Sequence, residues 1–383
     1  MSDKKTGIAV LGAGGMGMAI VKRLVALDPR LEVRALYDPS PESVESALKA
    51  LPQTPRVCET YEEAVQASDV DWVMIASWNA FHKEQTVAAF EAGKHVFCQK
   101  PLATNLADAL EMQAAHRAAN RMFNIGFTLR YAPHYRRIRQ LLDEGVVGRI
   151  VSFEFNETLD FNHGGYIMGN WRRLQANAGT HLLEKCCHDI DLANWMTGSL
   201  PVRVASFGGL NFFRPENRHH VDRIGPRTDG RPAYTTWRTT ELDPFLSDKD
   251  IIDNQVAILE YANGVRATFH TNCNSGIPER RMYIVGTEGV IRADLYAGTI
   301  QTKRIGWDTK IEDHSLQMRD GHGGGDDILS RELRDSMLDG AAPSVGLHEG
   351  LTSALTCFAI DEAMESGQVV DVRRYWDAAG VGY

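Results

Sequence analysis

The sequence predicts an α/β chain in two parts: an N-terminal doubly wound parallel sheet, then a C-terminal α+β domain with an open, mostly antiparallel sheet. Three observations carry that prediction. The first third of the 383 residues alternates short apolar runs with amphipathic segments of helical period, the pattern that builds parallel sheets wrapped by helices. Beyond residue 128 strands come in pairs joined by tight turns, which builds antiparallel sheet. The length itself exceeds the roughly 250–300 residues at which single cores stop growing, and the change of pattern divides the chain into 1–128 and 129–383.

Taken in order, TGIAVLGAG reads as a buried strand, and MGMAIVKRLVAL as a helix with apolar residues at helical spacing. LEVRALYD is a second strand, and SPESVESALKAL opens on Ser-Pro, a helix-start signal. TYEEAVQA is a short helix, VDWVMIAS a strand, HKEQTVAAFEAG a helix, HVFCQK a strand, NLADALEMQAAHRAAN a helix and RMFNIGF a last strand. In the second part, YAPHYRRIRQLLDEG is a helix, IVSFEFNETLD a half-buried strand, and VRVASFGGLNFF a later one. NQVAILEY and VRATFHTN form a hairpin about Asn263–Gly264; RRMYIVG and GVIRADLY form another about Thr287–Gly289. DILSRELRDSML and EGLTSALTCFAIDEAMES are closing helices. Residues 214–250 are charged, Pro-rich and aperiodic, and read as a long functional or mobile loop. An open sheet with few covering helices leaves one face bare, so a homodimer or homotetramer through the C-terminal sheet is expected.

Composition narrows the function classes. A net charge of −9 with no long Lys/Arg block argues against nucleic acid or an anionic membrane as partner. No apolar run reaches the roughly 18 residues that a membrane helix needs, and MSDKKTGIAVLGAGG lacks the cleavage site of a secretory leader. Six scattered cysteines (Cys58, Cys98, Cys186, Cys187, Cys273, Cys357) fit buried, reduced thiols in a cytoplasmic protein.

The sharpest local signal is Gly12-Ala13-Gly14-Gly15-Met16-Gly17, a G-x-G-x-x-G that follows a strand, opens a helix and precedes Asp38 at the end of the next strand. That context makes it the dinucleotide fingerprint of a Rossmann domain rather than a bare structural turn. Gly12 permits the tight turn, Gly14 lets backbone approach a pyrophosphate, and Gly17 lets helix and strand pack closely. The free N–H groups at Gly15 and Met16 open the helix toward the phosphates. Asp38 is suited to accept hydrogen bonds from ribose hydroxyls and to repel a 2′-phosphate. No Arg follows in Pro39-Ser40-Pro41-Glu42, which favours NAD over NADP.

A nucleotide fold does not name the substrate. The stretches SWNAFH, AGKHVFCQKPLA, GFTLRYAPHY, EKCCHDID and the GGGDD helix pair, together with GAGGMG, do more. With these motifs the chain resembles the glucose–fructose oxidoreductase / inositol dehydrogenase (Gfo/Idh/MocA) family over nearly its whole length. The family's Glu-Lys-Pro lysine sits beside the nicotinamide and the reacting hydroxyl, and Lys100 matches it. A lysine there can take the hydroxyl proton and hold the developing alkoxide. The plainer reading of Lys100 is a surface lysine at a strand end. Gln99 stands where the family has Glu, and a neutral amide stabilises an ammonium less than a carboxylate does. The Lys100–Pro101 bond is a candidate cis peptide.

The family's second motif, Asp-x-x-x-His-x-x-Asp on a helix, matches Glu184, His188 and Asp191, which an α-helix over 184–195 puts on one face. The resemblance implies that His188 acts with Lys100 in proton transfer, that Glu184 meets a neighbouring hydroxyl, and that Asp191 is structural. Glu184 is one methylene longer than the family's Asp. A Glu/His pair at this spacing is also a metal-binding pattern, but no second ligand set clusters in the sequence, so no metal is expected. The resemblance places Ser77, Trp78, Asn79 and His82 in the loop that contacts the cofactor, with Gln99 and Lys100 close by. Arg130, Tyr166, Trp171, Arg172 and Arg173 are expected near the substrate: Trp171 to stack on a sugar ring, an Arg to hold a hydroxylated or anionic group; Arg130 reads equally as one half of an inter-domain ion pair. Together these imply an NAD-dependent dehydrogenase acting on a secondary hydroxyl of a sugar, polyol or glycoside. The rival is an enzyme that recycles tightly held NAD to cleave a glycosidic bond. A catalytically silent NAD-binding regulator is the third reading, disfavoured by the retention of both Lys100 and His188.

Overall fold

The structure is a computed structural model that describes residues 5–235, 242–317 and 322–383. The first elements are β1 (Thr6–Leu11), α1 (Gly15–Leu27), β2 (Leu31–Tyr37), α2 (Pro41–Ala50), β3 (Arg56–Val57), α3 (Tyr61–Gln66), β4 (Trp72–Ile75), α4 (His82–Glu91), β5 (His95–Cys98), α5 (Leu106–Ala119) and β6 (Phe123–Ile125). Then come α6 (Pro133–Asp143), β7 (Ile150–Asp160), α7 (Phe161–Met168), α8 (Gln175–Ala178), α9 (Cys187–Thr197), β8 (Pro201–Gly209), α10 (His219–Ile224), β9 (Asn254–Tyr261), β10 (Arg266–Ser275), β11 (Arg281–Gly286), β12 (Gly289–Asp294), β13 (Thr299–Arg304) and β14 (Glu312–Asp313). The chain closes with α11 (Gly325–Asp339), α12 (Leu347–Ser366), β15 (Val370–Asp371) and α13 (Arg373–Ala379). It divides into two compact units, 1–132 with 324–354 and 133–323 with 355–383.

In the first unit six parallel strands run in the order β3-β2-β1-β4-β5-β6. β1 and β4 are buried along their whole length, as strands covered on both faces must be. Helix starts follow the capping chemistry legible in the sequence. Ser40 Oγ accepts from Ser43 N at 3.2 Å with Pro41 in the first turn, and Asn105 Oδ1 accepts from Asp108 N at 2.9 Å. The Lys100–Pro101 peptide is cis, as expected. The observed division differs from a single break after 128 in two respects: it falls after 132, and residues 324–354 return to the first unit. The reason for the return is amphipathic packing. α11 buries Leu329, Leu333 and Met337 and packs on α1, with Arg23 Nε donating to Asp327 Oδ1 at 3.1 Å.

In the second unit nine strands run in the order β14-β13-β12-β11-β7-β10-β9-β8-β15. All pairs are antiparallel except β7–β10. The β9–β10 hairpin turns where expected: Gly264 has φ +84°, and Asn263 Oδ1 accepts from Val265 N at 3.2 Å. Alternation along β9 and β10 sends Gln255, Ala257, Leu259, Ala267, Phe269, Thr271 and Cys273 inward, while Val256 and Ile258 stay exposed with Phe207 of β8. All six cysteines are buried and unbridged.

Residues 214–250 are less loop-like than their sequence. Arg218 opens α10, and Phe212, Phe213, Tyr234 and Phe245 form a buried aromatic cluster beneath it. Asp253 holds the strand exit by accepting from the backbone N–H groups of Asn211, Phe212 and Phe213 at 3.0, 2.7 and 2.9 Å. Aromatics spaced far apart in sequence carry no period, so this cluster was not readable in advance. Residues 236–241 of the expected loop lie outside the described residues. Among the described residues no helix is long and apolar enough to cross a membrane.

Candidate active site

In the first unit the strand order reverses between β1 and β4, so the loops leaving their carboxyl ends diverge and open a crevice. The glycine loop sits there, and its spacing is explained by its neighbours. Gly12 has φ +92°, and a Cβ on it would lie 2.5 Å from the Ser77 nitrogen; a Cβ on Gly17 would lie 2.4 Å from the Ala76 Cβ. Both positions exclude any larger residue. Gly14 is the opposite: an added Cβ would meet nothing within 4 Å. Its backbone therefore faces open space beside the first turn of α1, whose leading N–H groups have no partner within the helix. Gly15 and Met16 are exposed at the same place. These features fit a dinucleotide pyrophosphate.

Asp38 accepts from Ala13 N at 2.6 Å through one oxygen and from Ser40 N at 2.8 Å through the other. It thus clamps the glycine loop, and each oxygen keeps a second lone pair for a ribose hydroxyl. Trp78 is 41% exposed and stacks loosely on Phe81 with centroids 6.5 Å apart. Ser77 Oγ donates to Gln85 Oε1 at 2.8 Å, and Asn79 is buried.

His82 departs from the expectation of a cofactor contact. It is fully buried, with Nδ1 2.8 Å from the Pro101 carbonyl and Nε2 3.3 Å from the Ser77 carbonyl. Burial pushes its imidazole down to about 4, so it is neutral. A ring with no exposed surface cannot touch a cofactor; His82 instead ties the loop after β4 to the Lys100–Pro101 turn. Gln99 is buried at the end of β5, its Oε1 against Gly126 and its Nε2 without a hydrogen-bond partner. Lys100 is half-buried next to it, and Arg130 is half-buried in a short 3-10 turn, Thr128–Tyr131.

In the second unit the expected α-helix over 184–195 begins differently. Leu182–Cys186 form a π-helical turn, and only from Cys187 does α9 run as an α-helix. Glu184 therefore lies in a wider turn than the i, i+4 relation to His188 assumed, a local feature that often marks functional sites. Glu184, His188 and Asp191 are all buried, so this is not a solvated face.

Four residues expected at the substrate come together here. Arg172 Nε donates to Glu184 Oε1 at 2.9 Å, Arg172 Nη1 donates to Tyr166 Oη at 3.2 Å, and its Cζ lies 4.2 Å from the Trp171 ring centroid. Arg173 turns away and donates to Asp248 Oδ1 at 2.7 Å and the Asn170 carbonyl at 3.1 Å.

Beneath the π turn lies a network the sequence did not reveal. Arg280 holds Asp189 of α9 with both prongs, at 2.8 and 2.6 Å, and reaches Glu157 of β7 at 3.1 Å; Lys185 reaches the same Glu157 oxygen at 3.3 Å. Asp189, Glu157 and Arg280 are each at most 3% exposed. Glu157, Cys186 and Asp189 are close enough together to suggest a metal site, but both carboxylates already face fixed cations. One signal was available: alternation in IVSFEFNETLD puts Glu157 on the same inward face as Phe153 and Phe155.

The chain matches a family model described as an oxidoreductase family with an NAD-binding Rossmann fold over residues 6–127, and one described as its C-terminal alpha/beta domain over residues 139–372. Inositol 2-dehydrogenase of Streptomyces avermitilis is 32% identical over 369 residues, covering 96% of this chain and 94% of its own. The 2,7-anhydro-N-acetylneuraminate hydratase of Escherichia coli is 26% identical over 302 residues, covering 79% of this chain and 70% of its own. Among solved structures, levoglucosan dehydrogenase in complex with NADH and levoglucosan superposes with a TM-score of 0.80 at 21% identity, covering 96% of this chain and 100% of that one, and shows the same fold.

Proposed function

This chain belongs to the Gfo/Idh/MocA oxidoreductase family, and from that premise we propose that it is an NAD-dependent dehydrogenase oxidising a secondary hydroxyl of a sugar, polyol or glycoside. The observation that carries the reading is the Tyr166–Arg172–Glu184 chain beside Trp171, a polar and aromatic cluster suited to a hydroxylated ring. Cofactor binding is assigned to 1–128 through Gly12, Gly14, Gly15, Met16, Gly17, Asp38, Ser77, Trp78, Asn79 and Gln99. Substrate binding is assigned to 129–383 through Arg130, Tyr166, Trp171, Arg172, Glu184 and His188. When bound, NAD supplies the hydride acceptor. Lys100 takes the proton that leaves the carbinol oxygen and steadies the developing negative charge. His188 is its partner in proton transfer, and Glu184, fixed by Arg172, orients a neighbouring hydroxyl. Six unbridged thiols support a cytoplasmic location.

The test is a screen of purified protein with NAD, and separately NADP, against inositols, aldoses, anhydrosugars and glycosides, reading reduced nicotinamide and released aglycone together. Net absorbance with one substrate class supports the dehydrogenase. Aglycone release or hydration without net absorbance supports the second reading, NAD-recycling cleavage, which the kinship to a hydratase favours.

Asp38 sets the cofactor preference in this reading. Asp38→Ser removes the charge that repels a 2′-phosphate and is expected to lower the NAD-to-NADP ratio of kcat/KM by about tenfold or more, the size of one charge-assisted hydrogen bond. An unchanged ratio would refute the assignment. Self-association is read from the open sheet face. Phe207 and Val256 are cross-strand partners, and Ile258 continues the row; they are 72%, 47% and 61% exposed. Light scattering is expected to give a dimer or tetramer, and Ile258→Asp to reduce the mass toward that of one chain. A wild-type monomer at micromolar concentration would remove the idea.

A further inference from the structure

His163 has no role so far. It lies on α7 one turn before Tyr166, with the two ring centroids 6.3 Å apart in edge contact. Tyr166 in turn accepts from Arg172, which Glu184 holds. The imidazole is half-buried, and neither ring nitrogen has a hydrogen-bond partner among the described residues. Burial first, and then the positive charge of Lys185, push it down to about 3, so it is neutral near pH 7. Glu157, Glu184 and Arg172 act on it from the same surroundings. A neutral imidazole carries one N–H donor and one acceptor lone pair, the complement of an alcohol, which also offers one donor and acceptor lone pairs.

The charges nearest it in the second unit are balanced. Arg172 faces Glu184, Lys185 faces Glu157, and Arg280 faces both Asp189 and Glu157: three cations and three carboxylates. Arg173, the other cation expected here, is spent on Asp248. An incoming carboxylate here would share Arg172 with Glu184, a like charge, or desolvate without a counter-charge of its own, and both cost free energy. A hydroxyl faces neither penalty. We propose that His163 binds a hydroxyl of the substrate, and that its charge-balanced surroundings select an uncharged polyhydroxy ring over the corresponding sugar acid. The proposal rests on the dehydrogenase reading for its site and goes beyond it in naming a residue and a substrate class.

The experiment pairs neutral sugars with their acids, D-glucose with D-glucuronate and D-galactose with D-galacturonate, with myo-inositol and 1,6-anhydroglucose as further neutral probes. NADH formation is expected to favour the neutral member of each pair by about tenfold or more in kcat/KM, the size of one unpaired charge–polar interaction. His163→Leu, which keeps volume and removes both polar atoms, is expected to raise KM about tenfold with kcat changed less than about threefold. His163→Gln, which keeps a donor and an acceptor, is expected to recover most of that loss. Where His163→Leu does not fold by circular dichroism, His163→Ala gives the same comparison. Equal or faster oxidation of the acids, or an unchanged KM in His163→Leu, overturns the proposal. If no sugar yields NADH, the dehydrogenase reading fails on its own, and saturation-transfer NMR on the NADH-loaded protein decides this one. Neutral sugars bound by wild type and lost in His163→Leu sustain it; preferential binding of the acids, or no binding at all, overturns it.

Discussion

Lys100→Ala is expected to lower kcat/KM by about 10³-fold, within the 10²–10⁴ that general acid–base catalysis contributes, while NADH still binds. The lysine follows a well-held segment: Val96, Phe97 and Cys98 of β5 are buried, and the His82 ring lies 2.8 Å from the Pro101 carbonyl in the following turn. Truncation at Lys100 therefore removes an amine without moving the glycine loop on β1. The check is steady-state turnover on the best substrate from the screen, beside fluorescence titration with NADH. Loss of both activity and cofactor binding would make Lys100 a binding residue. Turnover within about tenfold of wild type would end its assignment as the proton acceptor.

The second large effect is on stability. Arg280→Met is expected to cost about 3–5 kcal/mol of unfolding free energy, because removing one partner of a buried ion network leaves the others uncompensated. Asp189 would then lose the guanidinium that holds it, and Glu157 would keep Lys185. The double variant Arg280→Met/Asp189→Leu restores the charge balance with Glu157 and Lys185 still paired, and is expected to lose less than the single variant. Urea unfolding of the three proteins decides it. A loss under about 1 kcal/mol in Arg280→Met would mean that the network carries little of the second unit's stability. Arg280→Lys is expected to recover only part of the loss, since an ammonium cannot reproduce the two-pronged contact with Asp189.

Two ion pairs leave the wider turn that opens the helix bearing His188. Lys185 must reach Glu157 on β7 while Glu184, its neighbour, reaches Arg172. Intrinsic propensity in HLLEKCCHDID contains no such instruction, so an ordinary α-helix was the natural expectation there.

What the sequence determined by itself is whatever depends on neighbours along the chain. Period and turn chemistry specified five of the six strands of the first sheet and the two hairpins β9–β10 and β11–β12 of the second, but not β3, β13, β14 or β15. The spacing of Gly12, Gly14 and Gly17 before Asp38 specified the dinucleotide loop, because each glycine answers a local demand on backbone path or clearance. The roles expected of Lys100 and His188 came from the family resemblance of the motifs around them, not from local backbone demands. The tertiary structure alone decided what depends on residues distant in sequence. It turned His82 inward, where its ring lies 2.8 Å from the Pro101 carbonyl of a separate loop. It gave Arg172 to Glu184 and Arg173 to Asp248, although the two arginines are adjacent and alike in sequence. It brought Glu157, Lys185, Asp189 and Arg280 together under the π turn, and it returned α11 to the first unit by packing Leu329, Leu333 and Met337. Such pairings are chosen by burial: a charged group removed from water must find its counter-charge wherever the fold has put one.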